Sequence, residues 1–122
     1  MNKAKIAFLA LVCASGSVFA DTTGSQEPAA ASATYDFTAA TDGSEFVVSD
    51  FKYTLSSNVG LGYSQNETAI AVGTYNTRGR NAFTGTSEGG SVAACGDPTT
   101  GSTAPSAPTL SLDADDANGC GA

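Results

Sequence analysis

Three segments between Phe51 and Tyr75 set apolar side chains at alternate positions. In "FKYTL", Phe51, Tyr53 and Leu55 share one face, with Lys52 and Thr54 on the other. "VGLGY" repeats the pattern with Val59, Leu61 and Tyr63, and "AIAVGTY" with Ile70, Val72 and Thr74. A period of two is that of a half-buried strand. Glycine recurs inside these segments, and each glycine costs a helix interior about 1 kcal/mol relative to alanine. "YDFT", "EFVV", "SVAAC" and "TLSL" are weaker strand candidates. About four to seven short strands with polar turns predict an all-β fold, either a small antiparallel sandwich or a partly open barrel.

Register sharpens the picture. If Asn66-Glu67 is a two-residue turn, Tyr63 faces Ile70, Leu61 faces Val72 and Val59 faces Thr74. One face of the hairpin is then an apolar strip. The other carries Gly60, Gly62, Ala69, Ala71 and Gly73, nearly without side chains. A slip by one residue would exchange the faces of one strand, so the strip itself argues against it. Several small residues on one face predict a close-packing surface, because glycine in a strand marks close approach of another backbone. Its occupant is expected to be Phe83, the C-terminal tail or a second copy. A second hairpin is expected at "TRGR", with Gly79 supplying a positive φ. A two-residue loop pairs Thr74 with Phe83 and sets that ring on the apolar face. A three-residue loop sets it over Gly73.

The first 20 residues read as a signal peptide. Lys3 and Lys5 precede an apolar run from Ile6 to Ala14, then "SGSVFA". Val18 and Ala20 are the small residues expected before cleavage, so the mature chain is expected to begin at Asp21. The apolar run is shorter than the roughly 20 residues of a membrane span, and no later segment supplies one. Cys13 raises a lipoprotein alternative, but Val12 stands where a small residue is expected. The remainder divides by composition into a flexible leader (21–33), a β core domain (34–96) and a Pro/Gly/Ser/Thr-rich tail (97–122). All eight aromatics after the signal lie in the core: Tyr35, Phe37, Phe46, Phe51, Tyr53, Tyr63, Tyr75 and Phe83.

After the signal, three basic residues (Lys52, Arg78, Arg80) stand against twelve acidic ones, a net charge of −9. Nucleic acid is therefore not an expected partner, since no basic patch exists to neutralise phosphates. Cys95 and Cys120 are the only cysteines left in the mature chain. An even pair in an exported protein predicts a disulfide tying the tail back to the core. The chain-entropy model gives such a loop on the order of 3 kcal/mol.

Catalytic signatures are weak. The chain contains no histidine, so imidazole triads and histidine metal ligands are excluded. Ser49-Asp50-Phe51-Lys52 spells S-x-x-K, but in a β-patterned segment without the partner motifs that chemistry needs. The scattered carboxylates form no recognisable glycosidase pair. "DADDANG" (113–119) lacks the fifth, sixth and twelfth positions of a calcium loop. Asn66-Glu67-Thr68 is a glycosylation sequon by letters and reads as a turn. Arg78 and Arg80 flank one turn and form a candidate contact site for an anion or sugar, with protection of a strand end as the plainer role. A core of about 63 residues is too short for a monomeric membrane barrel, whose usual minimum is eight strands of roughly ten residues.

These features predict an acidic, exported protein, periplasmic, cell-surface or secreted, with no cofactor and no enzymatic activity. The expected role is structural or adhesive: an interaction module capable of self-association. The rival expectation is a soluble binding module for a glycan or a basic protein.

Overall fold

The computed structural model describes residues 21–121; the expected signal segment, with Cys13 and Ala20, lies outside them. Among the described residues seven short strands form: β1 (Thr22–Gln26), β2 (Ala33–Phe37), β3 (Phe51–Leu55), β4 (Val59–Gln65), β5 (Ile70–Asn76), β6 (Ala82–Thr86) and β7 (Ala93–Cys95). They make two antiparallel sheets. One has five strands in the order β1-β4-β5-β6-β7; the other pairs β2 with β3. Neither sheet closes into a barrel. The all-β expectation holds, and an open sandwich is the form it takes. Of the weaker candidates, "EFVV" forms no strand, and "TLSL" contributes only an isolated bridge from Leu110 to Cys120.

The β4–β5 hairpin keeps the expected faces but shifts its register by two residues. Gln65 pairs with Ile70, Tyr63 with Val72, Leu61 with Thr74 and Gly60 with Tyr75. The cause is Asn66. Its side-chain oxygen accepts from Thr68 N, Thr68 Oγ1 and Ala69 N at 2.8–3.0 Å. Asn66 N also donates to Ala69 O at 3.0 Å. An asparagine that bonds to backbone two and three residues on builds its own turn, and this one needs four residues, 66–69. A shift of two leaves every side chain on its original face, because the strand period is two.

In the next hairpin Thr74 pairs with Phe83, so Phe83 joins the apolar face. Asn76 repeats the turn device: Arg78 N donates to its side-chain oxygen and Gly79 N to its carbonyl, both at 2.8 Å. Gly79 does not adopt a positive φ, contrary to expectation. The Asn76 side chain bonds the turn without it. Positive φ appears instead at Asn58 in the β3–β4 connection (φ 65°). Asn58 N donates to Ala29 O and its carbonyl accepts from Thr77 N, which ties three segments together.

Residues 22–26, read from composition as part of a leader, form β1 on the edge of β4. Backbone pairing holds this segment, which has almost no apolar period to read. Gly24 sits beneath the Tyr63 ring: an added Cβ would stand 2.5 Å from Tyr63 Cζ.

The deepest burial is on the face of small residues. Along β5, Ala71, Gly73 and Tyr75 are buried, while Ile70, Val72 and Thr74 are only partly so. Ser64, Ala82, Thr84 and Cys95 are buried as well. The lid is the tail. Cys95 and Cys120 are joined by a disulfide with Cα atoms 5.5 Å apart. A Cβ on Gly73 would meet Pro108 Cγ at 2.5 Å and Leu110 Cδ2 at 2.9 Å, and one on Gly119 would meet Ala71 Cβ at 3.0 Å. Small residues on the sheet let an extended, proline-bearing segment lie flat on it.

Candidate interaction surface

The structure separates the residues singled out in the sequence. Gly62 and Gly73 lie toward the tail, whereas Gly60 is covered by the ring of its cross-strand neighbour Tyr75. Ala69 belongs to the Asn66 turn and is buried there. These positions are therefore occupied from within the chain. Arg80 is also engaged: its Nε donates to Thr99 O at 2.9 Å, and Thr99 N donates to Arg80 O at 2.8 Å. Arg78 is exposed, and the two guanidinium groups have different surroundings. In the "DADDANG" segment, Asp113 Oδ1 accepts from Asp115 N at 3.1 Å and Asp113 O from Asp116 N at 3.0 Å, so a turn uses these groups. Among the described residues no cluster of three or more potential metal ligands occurs, and no helix is long and apolar enough to cross a membrane.

What remains open is the opposite face of the five-stranded sheet. The β2–β3 hairpin covers only part of it. Phe37 is the anchor: it is buried, stacks on Phe51 with ring centroids 5.0 Å apart, and meets Tyr63 edge-on at 5.4 Å. The long β2–β3 connection is pinned by side-chain acceptors. Ala39 N donates to Asp50 Oδ1, Ala40 N to Glu45 Oε2 and Val47 N to Gln65 Oε1, at 2.8–3.1 Å. Gln65 is fully buried, and its amide nitrogen has no partner among the described residues.

Between β3 and the floor of β4 and β5 runs an apolar cleft of about 310 Å³. Phe51, Tyr53 and Leu55 form one wall; Leu61, Ile70 and Val72 form the floor. The floor continues past Ile70, Val72 and Thr74 to Phe83 and Val92 in a second shallow depression. Phe83 is 44% exposed, Phe51 46% and Val92 74%. Contiguous exposed apolar surface of this kind marks interaction sites in soluble proteins.

The electrostatics of the face are polar along the strands. Asp21, Glu67 and Glu88 border the end where Gln65 pairs with Ile70; Glu45 joins them through Val47. Arg78 and Arg80 lie at the opposite end, in the β5–β6 turn. Tyr63 records this field. Burial, then the nearby Glu45 carboxylate, push its hydroxyl above the ordinary tyrosine value. Tyr75, on the tail side, is raised by burial and by Glu27, whose Oε2 accepts from the tyrosine hydroxyl at 3.3 Å.

Composition alone did not reveal the cleft. The alternation marked its floor correctly, but nothing in the local pattern says that a two-stranded sheet leaves the floor uncovered. The carboxylates Glu45, Glu67 and Glu88 were legible only as charges until the register brought their turns together. Fold and surface define a small two-sheet β module with one closed and one open face. No protein-family model, no curated protein and no solved structure matches the chain.

Proposed function

We propose that this protein is an exported, non-enzymatic interaction module with a structural or adhesive role at the cell surface or outside it. The observation that carries this reading is the open apolar face from Leu61 and Val72 to Phe83 and Val92. Leaving such side chains in water forgoes roughly 25 cal/mol per Å² of burial. A partner that covers the face recovers that free energy. The disulfide-tied tail supports the same reading, because disulfides persist in oxidising compartments. The second reading is a soluble periplasmic or secreted binding module for a basic protein. It is favoured by the carboxylate-rich end of the face. The Arg78/Arg80 turn adds less to a glycan site, since Arg80 already bonds the tail.

Expression of the whole chain in a bacterial host tests the proposal. Fractionation should place it outside the cytoplasm, with a chain beginning at Asp21. Protease treatment of intact cells should remove it. The purified product should change size with concentration or capture surface components. Retention in the cytoplasm with an intact N-terminus would contradict both readings. A lipid adduct on Cys13 would replace the soluble form with an anchored one.

A further inference from the structure

We propose that the free edge of β3, together with the cleft beside it, accepts an extended polypeptide strand that is apolar at alternate positions and basic at one end. This names the partner chemistry of the open face and rests on the interaction-module reading above.

The first argument is a mismatch of layers. A sandwich buries the inner faces of two sheets against each other, but here five strands face two. Strands in a sheet lie about 4.8 Å apart, so the β2–β3 pair spans less than half the width of the larger sheet. Among the described residues β3 pairs with β2 alone. Tyr53, Thr54 and Leu55 line the cleft while β2 contributes only Phe37, which sets the unpaired edge of β3 on the cleft side. A strand added there would extend the small sheet across β5 and β6.

The second argument is chemical fit. An unpaired strand edge presents a row of backbone donors and acceptors. An incoming strand satisfies them and turns every second side chain onto the floor of Leu61, Ile70, Val72 and Phe83. This is strand addition, in which main-chain bonds give affinity and pockets for alternate side chains give selectivity. A compact apolar ligand would fill the cleft but leave the β3 edge unpaired.

The third argument is charge complementarity. Asp21, Glu67 and Glu88 border the end where Gln65 pairs with Ile70, Glu45 joins them through Val47, and Phe51 at the start of β3 reaches the same end through Phe37 and Tyr63; Lys52, the basic residue of β3, is paired with Asp36. A basic terminus on the guest strand meets this end favourably. A second copy fits less well. Its residues 21–122 carry three basic side chains against twelve acidic ones. Its segment combining apolar alternation with a following basic pair is β5 with Arg78 and Arg80, and β5 is paired on both sides.

The test uses the disulfide-bonded full mature chain, isotope-labelled for amide NMR. The probes are two synthetic peptides with Val-Thr-Val-Thr-Val at their centre, one with two lysines at the N-terminus and one at the C-terminus. At least one should bind, with shifts concentrated on residues 51–55, 61–63, 70–74 and 83. Exchange of the lysines for glutamates should weaken binding about tenfold, and N-methylation of alternate amides should abolish it. Val72→Thr, whose fold is checked in the same spectra, should also weaken it. Four results would overturn the proposal: no binding at ~1 mM, where only affinities weaker than about 4 kcal/mol escape detection; equal binding of the N-methylated peptide; shifts confined to β1 or β7; or concentration-dependent shifts in the cleft without peptide, which would place a second copy there. Peptide failure leaves the surface reading standing, since cell fractionation tests that separately.

Discussion

Gly73 lies directly beneath Pro108: a methyl group on Gly73 would stand 2.5 Å from Pro108 Cγ. This contact joins the centre of the sheet to the tail and explains why a face with almost no side chains is well buried. Gly62, on the paired strand, has more room, with its nearest neighbours at 3.8 and 4.0 Å. The two glycines therefore respond oppositely to the same change. Gly73→Ala should destabilise by about 1–3 kcal/mol through overpacking. Gly62→Ala should be neutral or stabilise by about 0.5–1 kcal/mol, since alanine suits a strand interior better than glycine. Urea unfolding of both variants measures this. Equal effects would mean that the tail does not press on the sheet.

The disulfide should act mainly on the tail. Cys95→Ser with Cys120→Ser removes a cross-link worth on the order of 3 kcal/mol. Amide exchange should accelerate first in residues 97–121 and over Thr84 on β6. The β4–β5 pairing, with seven residue pairs, should remain the slowest to exchange. Uniform loss of protection would show that the tail is integral to the sheet.

Asn66 should matter more than an exposed turn residue ordinarily does. Its side-chain oxygen accepts three bonds from the following residues. Asn66→Ala should cost about 1–2 kcal/mol, and Asn66→Asp, which keeps the acceptor, should recover most of it. Denaturant midpoints decide. If alanine and aspartate behave alike, the bonds do not set the turn.

Stability should fall at alkaline pH. Tyr63 and Tyr75 have hydroxyls raised above their ordinary value of about 10. The unfolded chain then loses its tyrosine protons first. The stabilisation from these groups is complete below about pH 10 and is lost as pH rises through the folded values. Glu27→Gln removes the charge that disfavours the Tyr75 phenolate while leaving an amide oxygen as acceptor, so its titration should move down toward the ordinary value. Absorbance titration of Tyr63→Phe and Tyr75→Phe separates the two groups.

How much of this was legible beforehand differs from residue to residue. Val59, Leu61 and Tyr63 were assignable to one face because alternation is local and survives any register shift of two. The turn at Asn66 was legible but its four-residue length was not, although an asparagine two residues before a threonine offers the backbone an acceptor. The β1 strand carried no apolar signal; its pairing depends on β4 presenting a free edge. The cleft was not readable at all, because it arises from strands supplied by three separate parts of the chain.

By itself, the sequence determined the strand period, the two faces of the central hairpin and the lone cysteine pair among residues 21–122, all of which follow from residue type and spacing. Only the tertiary structure decided which face would be closed. The apolar strip looked like the core by transfer free energy, yet the small face became the better buried one. Close contact needs a partner of matching shape: Pro108 and Leu110, tethered through Cys120, fit against glycine and alanine, while two strands are too few to roof a sheet of five.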